Sequence, residues 1–133
     1  MVKVEHIGIA VNNLDEVNEL YTKLFGKAHY KQEAVESEKV STSFFQMGET
    51  KIEFLESTNP DGPISKFIEK KGQGIHHIAF EVEDIHAELQ RLKEQGFRLI
   101  NETPKAGADN KLVAFIHPKS TNGVLVELCQ EIR

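Results

Sequence analysis

Val4-Glu5-His6-Ile7-Gly8-Ile9-Ala10-Val11 and Ile75-His76-His77-Ile78-Ala79-Phe80-Glu81-Val82 are two copies of one pattern, 71 residues apart. Each is short, β-rich and carries a central His. Each is followed by a polar pair, Asn12-Asn13 or Glu83-Asp84, and then by a helical period. Val17, Leu20, Tyr21 and Leu24 predict an apolar stripe on the first helix, and Ile85, Leu89 and Leu92 one on the second. Asn13 and Asp84 suit N-caps, and Gly26 and Gly96 suit helix ends.

Both halves then turn to strands. Ser43 to Met47 and Lys51 to Leu55 read as a hairpin around Gly48-Glu49-Thr50. Leu112 to Ile116 and Val124 to Leu128 form the counterpart around the longer turn His117 to Gly123. Each half is therefore β-α-β-β-β: module one at 1–57, a linker at 58–74 and module two at 75–133, together one domain. Within the linker, Pro63 to Lys71 predicts a short helix, with Pro63 in its first turn and Ile64, Phe67 and Ile68 on one side. About 65 residues make a marginal core, so neither half is expected to stand alone.

The whole chain has 133 residues and a formal charge of −5. That acidic balance argues against nucleic-acid binding, which needs an excess of Lys and Arg to neutralise phosphates. No apolar run reaches the roughly 20 residues that cross a bilayer, so no membrane partner is expected. Met1-Val2-Lys3-Val4 lacks an apolar signal region, and the single cysteine, Cys129, allows no internal disulfide. These point to a cytoplasmic setting.

The repeat returns a His on its first strand and a Glu on its last, twice: His6 with Glu53, and His77 with Glu127. One His in a strand is ordinarily a hydrogen-bonded core residue and one Glu ordinarily points to solvent; the paired recurrence is what singles these four out. By strand alternation His6 shares a face with Gly8 and Ala10, and His77 with Ala79, which leaves room beside each imidazole. Glu127 sits in Val124-Leu125-Val126-Glu127-Leu128-Cys129, where a carboxylate needs a compensating cation or donors. Two imidazoles and two carboxylates from four strands suit one hard-to-borderline divalent ion, Co, Zn, Ni, Mn or Fe. On an octahedral ion they leave two positions open for catalysis. His76 competes with His77 but points to the opposite face, and His29, His86 and His117 read as surface or loop residues.

This pattern resembles the vicinal oxygen chelate (glyoxalase/bleomycin resistance/dioxygenase) superfamily, and within it the methylmalonyl-CoA epimerase family. The carrying segments are His6-Ile7-Gly8-Ile9-Ala10-Val11, Gly48 to Glu53, His76 to Val82, Pro104-Lys105-Ala106-Gly107 and Phe115-Ile116-His117-Pro118-Lys119 leading to Gly123 to Leu128. The resemblance implies an α+β, glyoxalase-like fold in which the two modules form a curved eight-stranded mixed sheet. It implies metal ligands at His6, Glu53, His77 and Glu127, an acyl-CoA substrate, and a homodimer. The implied reaction is epimerisation at the carbon between a thioester and a carboxylate, with Glu127 as one acid/base. The family's second carboxylate, aligned without gaps, falls on Ser37, so its neighbours Glu36 and Glu38 become the candidates; in a strand both would face away unless a bulge turned one inward. Lys105, Lys111 and Lys119 are the local cations available to coenzyme A phosphates. Two alternatives stay open: a glyoxalase I-type lyase acting on thiol adducts of 2-oxoaldehydes, and a binder without catalysis.

Overall fold

A computed structural model describes residues 1–132. The eight strands are β1 (Lys3–Val11), β2 (Lys31–Val35), β3 (Val40–Met47), β4 (Thr50–Ser57), β5 (Gly74–Glu81), β6 (Lys105–Gly107), β7 (Lys111–Ile116) and β8 (Val126–Glu131). Three helices join them: α1 (Leu14–Phe25), α2 (Pro63–Lys71) and α3 (Ile85–Glu94). The strands form one mixed sheet in the order β2-β3-β4-β1-β5-β8-β7-β6. The expected β-α-β-β-β pattern thus occurs twice, with β2-β3-β4-β1 mirrored by β6-β7-β8-β5. The chain divides into two compact units, residues 7–76 in one and residues 1–6 with 77 onward in the other.

In the unit formed by residues 7–76, α1 starts where Asn13 Oδ1 accepts from the Glu16 amide and ends on Gly26 at φ 74°. Its inward stripe keeps the expected Val17 and Tyr21 but not Leu20 and Leu24. Leu14, Val17, Asn18, Tyr21 and Phe25 face the sheet, whereas Leu20 and Leu24 are 59% and 68% exposed. The helix begins at Leu14, and a stripe counted from there passes through Tyr21 and Phe25, whose rings meet Phe54 and Phe45. α2 keeps its expected bounds and packs Ile64, Phe67 and Ile68 against Ala10, Val40 and Leu55.

In the other unit, α3 is capped by Asp84, which accepts from the Ala87 amide. It buries Ile85, Leu89 and Leu92 against Val82, Ala114, Ile116 and Leu128. The last strand starts two residues later than expected. The Val124 amide donates to Thr121 O, so the preceding turn consumes this segment and the ladder begins at Val126. Among the described residues no helix is long and apolar enough to cross a membrane.

Candidate metal and substrate site

Register decides which side chains share the face away from α3. β5 and β8 run parallel with Ala79 opposite Glu127, while β7 and β8 run antiparallel with Phe115 opposite Glu127 and Val113 opposite Cys129. Alternation then places His77, Ala79, Val113, Phe115, Glu127 and Cys129 on one face. Lys105 lies opposite Val113 and joins the same face from β6.

On this face His6, His77 and Glu127 converge, all three buried. The two imidazoles stand edge to face with centroids 5.1 Å apart, and their Nε2 atoms are 3.0 Å from each other. Glu127 Oε1 lies 3.3 Å from His77 Nε2, and Glu127 Oε2 lies 3.5 Å from His6 Nε2. The Phe115 ring closes one side, 6.0 Å from the His77 ring. Ala79 beside His77 is fully buried and adds no bulk.

This donor set fits a divalent ion. Two nitrogen ligands at about 2.1 Å and at right angles to one another are roughly 3.0 Å apart, which is the Nε2 spacing here. Imidazole and carboxylate together suit the borderline ions Co, Zn, Ni and Mn. Burial pushes the Glu127 carboxyl up, and Glu5 adds to that. When the imidazoles are protonated, the His6 charge and hydrogen bond, with the His77 charge, more than offset both and hold the group below its ordinary value.

The other expected residues fall as follows. Glu53 is buried on β4, opposite Phe44, within residues 7–76. The repeat therefore extends to the neighbouring strands, because each Glu faces a Phe there. Glu36, Ser37 and Glu38 are not in a strand. They form a 3-10 turn between β2 and β3, so strand alternation does not fix where they point; Glu38 is half-buried and Glu36 exposed. Lys105 and Lys119 are exposed, on β6 and in the 3-10 turn Pro118–Ser120. Lys111 is not a surface cation: it is buried, with its Nζ 3.3 Å from Glu131 Oε1. A residue facing inward across the ladder from Glu131 is drawn into that pair and is lost to solution phosphates.

His76 faces away from the site as expected and stacks edge to face on Phe67, with burial lowering its pKa to about 4. His86 is exposed and His117 lies in a turn. His29 is half-buried beside the Phe45 ring rather than on the open surface. A separate groove of about 580 Å³ is lined by Val2, Glu81, Glu83, Leu112, Gln130 and Glu131, and its carboxylates would repel phosphates. Glu5 was missed in the sequence. It is buried with Oε1 2.9 Å from His6 Nδ1, and alternation gave no reason to look for it beside His6.

Known proteins resemble the chain over most of its length. The profile of the glyoxalase/bleomycin resistance protein/dioxygenase superfamily matches residues 5–115. An uncharacterized protein of Bacillus subtilis is 46% identical over 130 residues, covering 98% of this chain and 93% of its own. The mitochondrial methylmalonyl-CoA epimerase of Dictyostelium discoideum is 43% identical over 127 residues, covering 95% of this chain and 76% of its own. A Streptomyces coelicolor methylmalonyl-CoA epimerase variant, solved in complex with 2-nitronate-propionyl-CoA, superposes with a TM-score of 0.95 at 31% identity. That match covers 98% of this chain and 95% of that one.

Proposed function

The chain belongs to the glyoxalase/bleomycin resistance protein/dioxygenase superfamily, and on that footing we propose that it is a metal-dependent epimerase interconverting the 2-epimers of methylmalonyl-CoA. The observation that carries this reading is the buried convergence of His6 Nε2, His77 Nε2 and the Glu127 carboxylate on a scaffold common to epimerases of that substrate. The repeat that pairs His6 with Glu53 and His77 with Glu127 makes Glu53 the candidate for a fourth ligand. When bound, the ion supplies a Lewis acid next to the charge that develops on the thioester oxygen, so it favours the transition state over the ground state.

The chain's own groups do the rest. Glu127 takes the proton from the carbon between thioester and carboxylate. Epimerisation needs a second acid/base on the other face of that carbon. Glu38 and Glu36 are the candidates, with half-buried Glu38 the better placed to exchange a proton away from bulk water. Lys105 and Lys119 attract the coenzyme A phosphates, and Lys105 shares the strand face of Glu127. The enzyme works as a cytoplasmic homodimer; exposed Leu20 and Leu24 on α1 leave apolar surface for a second copy.

The test is methylmalonyl-CoA of one configuration in heavy water. Wild type should both wash deuterium into the 2-position and invert it. Glu38→Gln should cut inversion by roughly 10²- to 10⁴-fold while exchange on the Glu127 side persists. Turnover of a hemithioacetal without deuterium wash-in would replace the epimerase by a lyase, and binding without either reaction would make the chain a sequestering member of the superfamily.

A further inference from the structure

Glu5 has no part in the chemistry assigned so far, yet it is 2% exposed. It precedes His6 on β1, so its Cβ starts toward the opposite face. Its carboxylate nonetheless returns to the imidazole, with Oε1 2.9 Å from Nδ1. A carboxylate oxygen at that distance offers an acceptor to the ring, which favours, in a neutral His6, the tautomer with its proton on Nδ1. The Nε2 lone pair is then left on the far edge of the ring, where His77 Nε2 is 3.0 Å away and Glu127 Oε2 3.5 Å away.

We propose that Glu5 is a positioning residue for His6: it fixes the Nδ1–H tautomer and the ring plane, so that Nε2 presents its lone pair to the ligand cluster. A carboxylate behind a metal-binding imidazole also raises the basicity of the ligand. Cys129 closes the pocket around this pair, since Glu5, His6 and Cys129 form a second buried group whose ligand-type atoms lie within 4.8 Å of one another. Its thiol donates to the Phe80 carbonyl at 3.6 Å. The repeat places His76 where Glu5 stands, and His76 stacks on Phe67 instead, so the second module does not repeat the device through its own preceding residue. One consequence is specific to the metal-free protein. With His6 Nε2 an acceptor, the 3.0 Å contact requires His77 to donate from its Nε2, so the two imidazoles hold opposite tautomers.

The inference rests on the metal reading only for its second readout. Long-range proton–nitrogen correlation spectra of isotope-labelled, metal-free protein at mildly alkaline pH report the ring tautomers. Cobalt(II) titration followed by absorbance reports affinity. Wild type should show His6 protonated on Nδ1 and His77 on Nε2. Glu5→Gln keeps an acceptor oxygen, so the tautomer should survive with less than about tenfold loss of cobalt affinity. Glu5→Val should mix the His6 tautomers and lose about 10- to 100-fold in affinity. If Glu5→Val does not fold, the wild-type tautomer decides. His6 protonated on Nε2 in wild type, or Gln and Val variants with unchanged tautomer and affinity, overturns the proposal. The predicted tautomers without any cobalt binding would uphold Glu5 and overturn the metal reading instead.

Discussion

Adding one methyl group at Gly107 should measurably destabilise the strand that carries Lys105. A Cβ built there would lie 2.9 Å from both Cγ1 and Cγ2 of Val113. Val113 has no room to retreat, because it is buried against Ala79 and Cys129, the neighbours of His77 and Glu127 on the site's face. Gly107 has a φ of −126°, which any residue tolerates, so the cost is steric and not conformational. Overpacking of this kind costs about 1–3 kcal/mol. At an unfolding entropy near 2.1 cal/mol/K per residue, that is a fall of roughly 4–11 °C in Tm for a chain of this length. Val113→Ala opens the space at its own cost of about 1.5–3 kcal/mol. In that background Gly107→Ala should cost much less, with a coupling energy of about 1–2 kcal/mol. Urea unfolding of wild type, both single variants and the double variant measures the cycle. A Gly107→Ala variant within about 0.5 kcal/mol of wild type, or a cost unchanged by Val113→Ala, would refute the clash.

Asp84→Ala should cost about 1 kcal/mol by removing the α3 N-cap, and Asp84→Asn should restore most of it, as read by urea midpoint. Burial lowers the His76 pKa from 6.5 to about 4, so the unfolded chain binds this proton more readily than the folded one. The stability it protects is intact above pH 6.5 and is lost as pH falls toward 4, by about 3 kcal/mol in all; His76→Phe should abolish that part of the pH dependence in urea titrations between these limits. Neutralising Lys105 and Lys119 together should weaken acyl-CoA binding and flatten its salt dependence while leaving metal content unchanged; an unaltered salt slope would remove both from the phosphate contacts.

Why some of this could be read in the chain and some could not has a physical cause. The two His strands, the capped helices at Asn13 and Asp84 and the Pro63 helix depend on local periodicity and capping, and these reappear in the fold. Three features depend on register or on a starting point that a sequence leaves open. The α1 stripe shifts because Leu14, not Val17, is its first inward residue. Lys111 is pulled inward because the β7–β8 ladder sets it opposite Glu131. The segment around Ser37 forms a 3-10 turn, for which an alternation rule has no meaning. In the site, His6, His77 and Glu127 were legible because the repeat marks them. Phe115 was invisible until the register paired it with Glu127, and Glu5 until its side chain was seen to turn back on His6.

Metal stoichiometry is the most direct test of the central claim. Cobalt(II) or zinc(II) titrated into metal-free protein should bind at one ion per chain. At a hundredfold excess over Kd it should stabilise the fold by about 2.7 kcal/mol, which is roughly 10 °C in Tm for this length. His6→Ala, His77→Ala and Glu127→Ala should each abolish the binding and the shift, with Glu53→Gln milder because an amide oxygen can still ligate. Wild-type protein that takes up no ion and shows no shift, with its fold intact, would contradict the account.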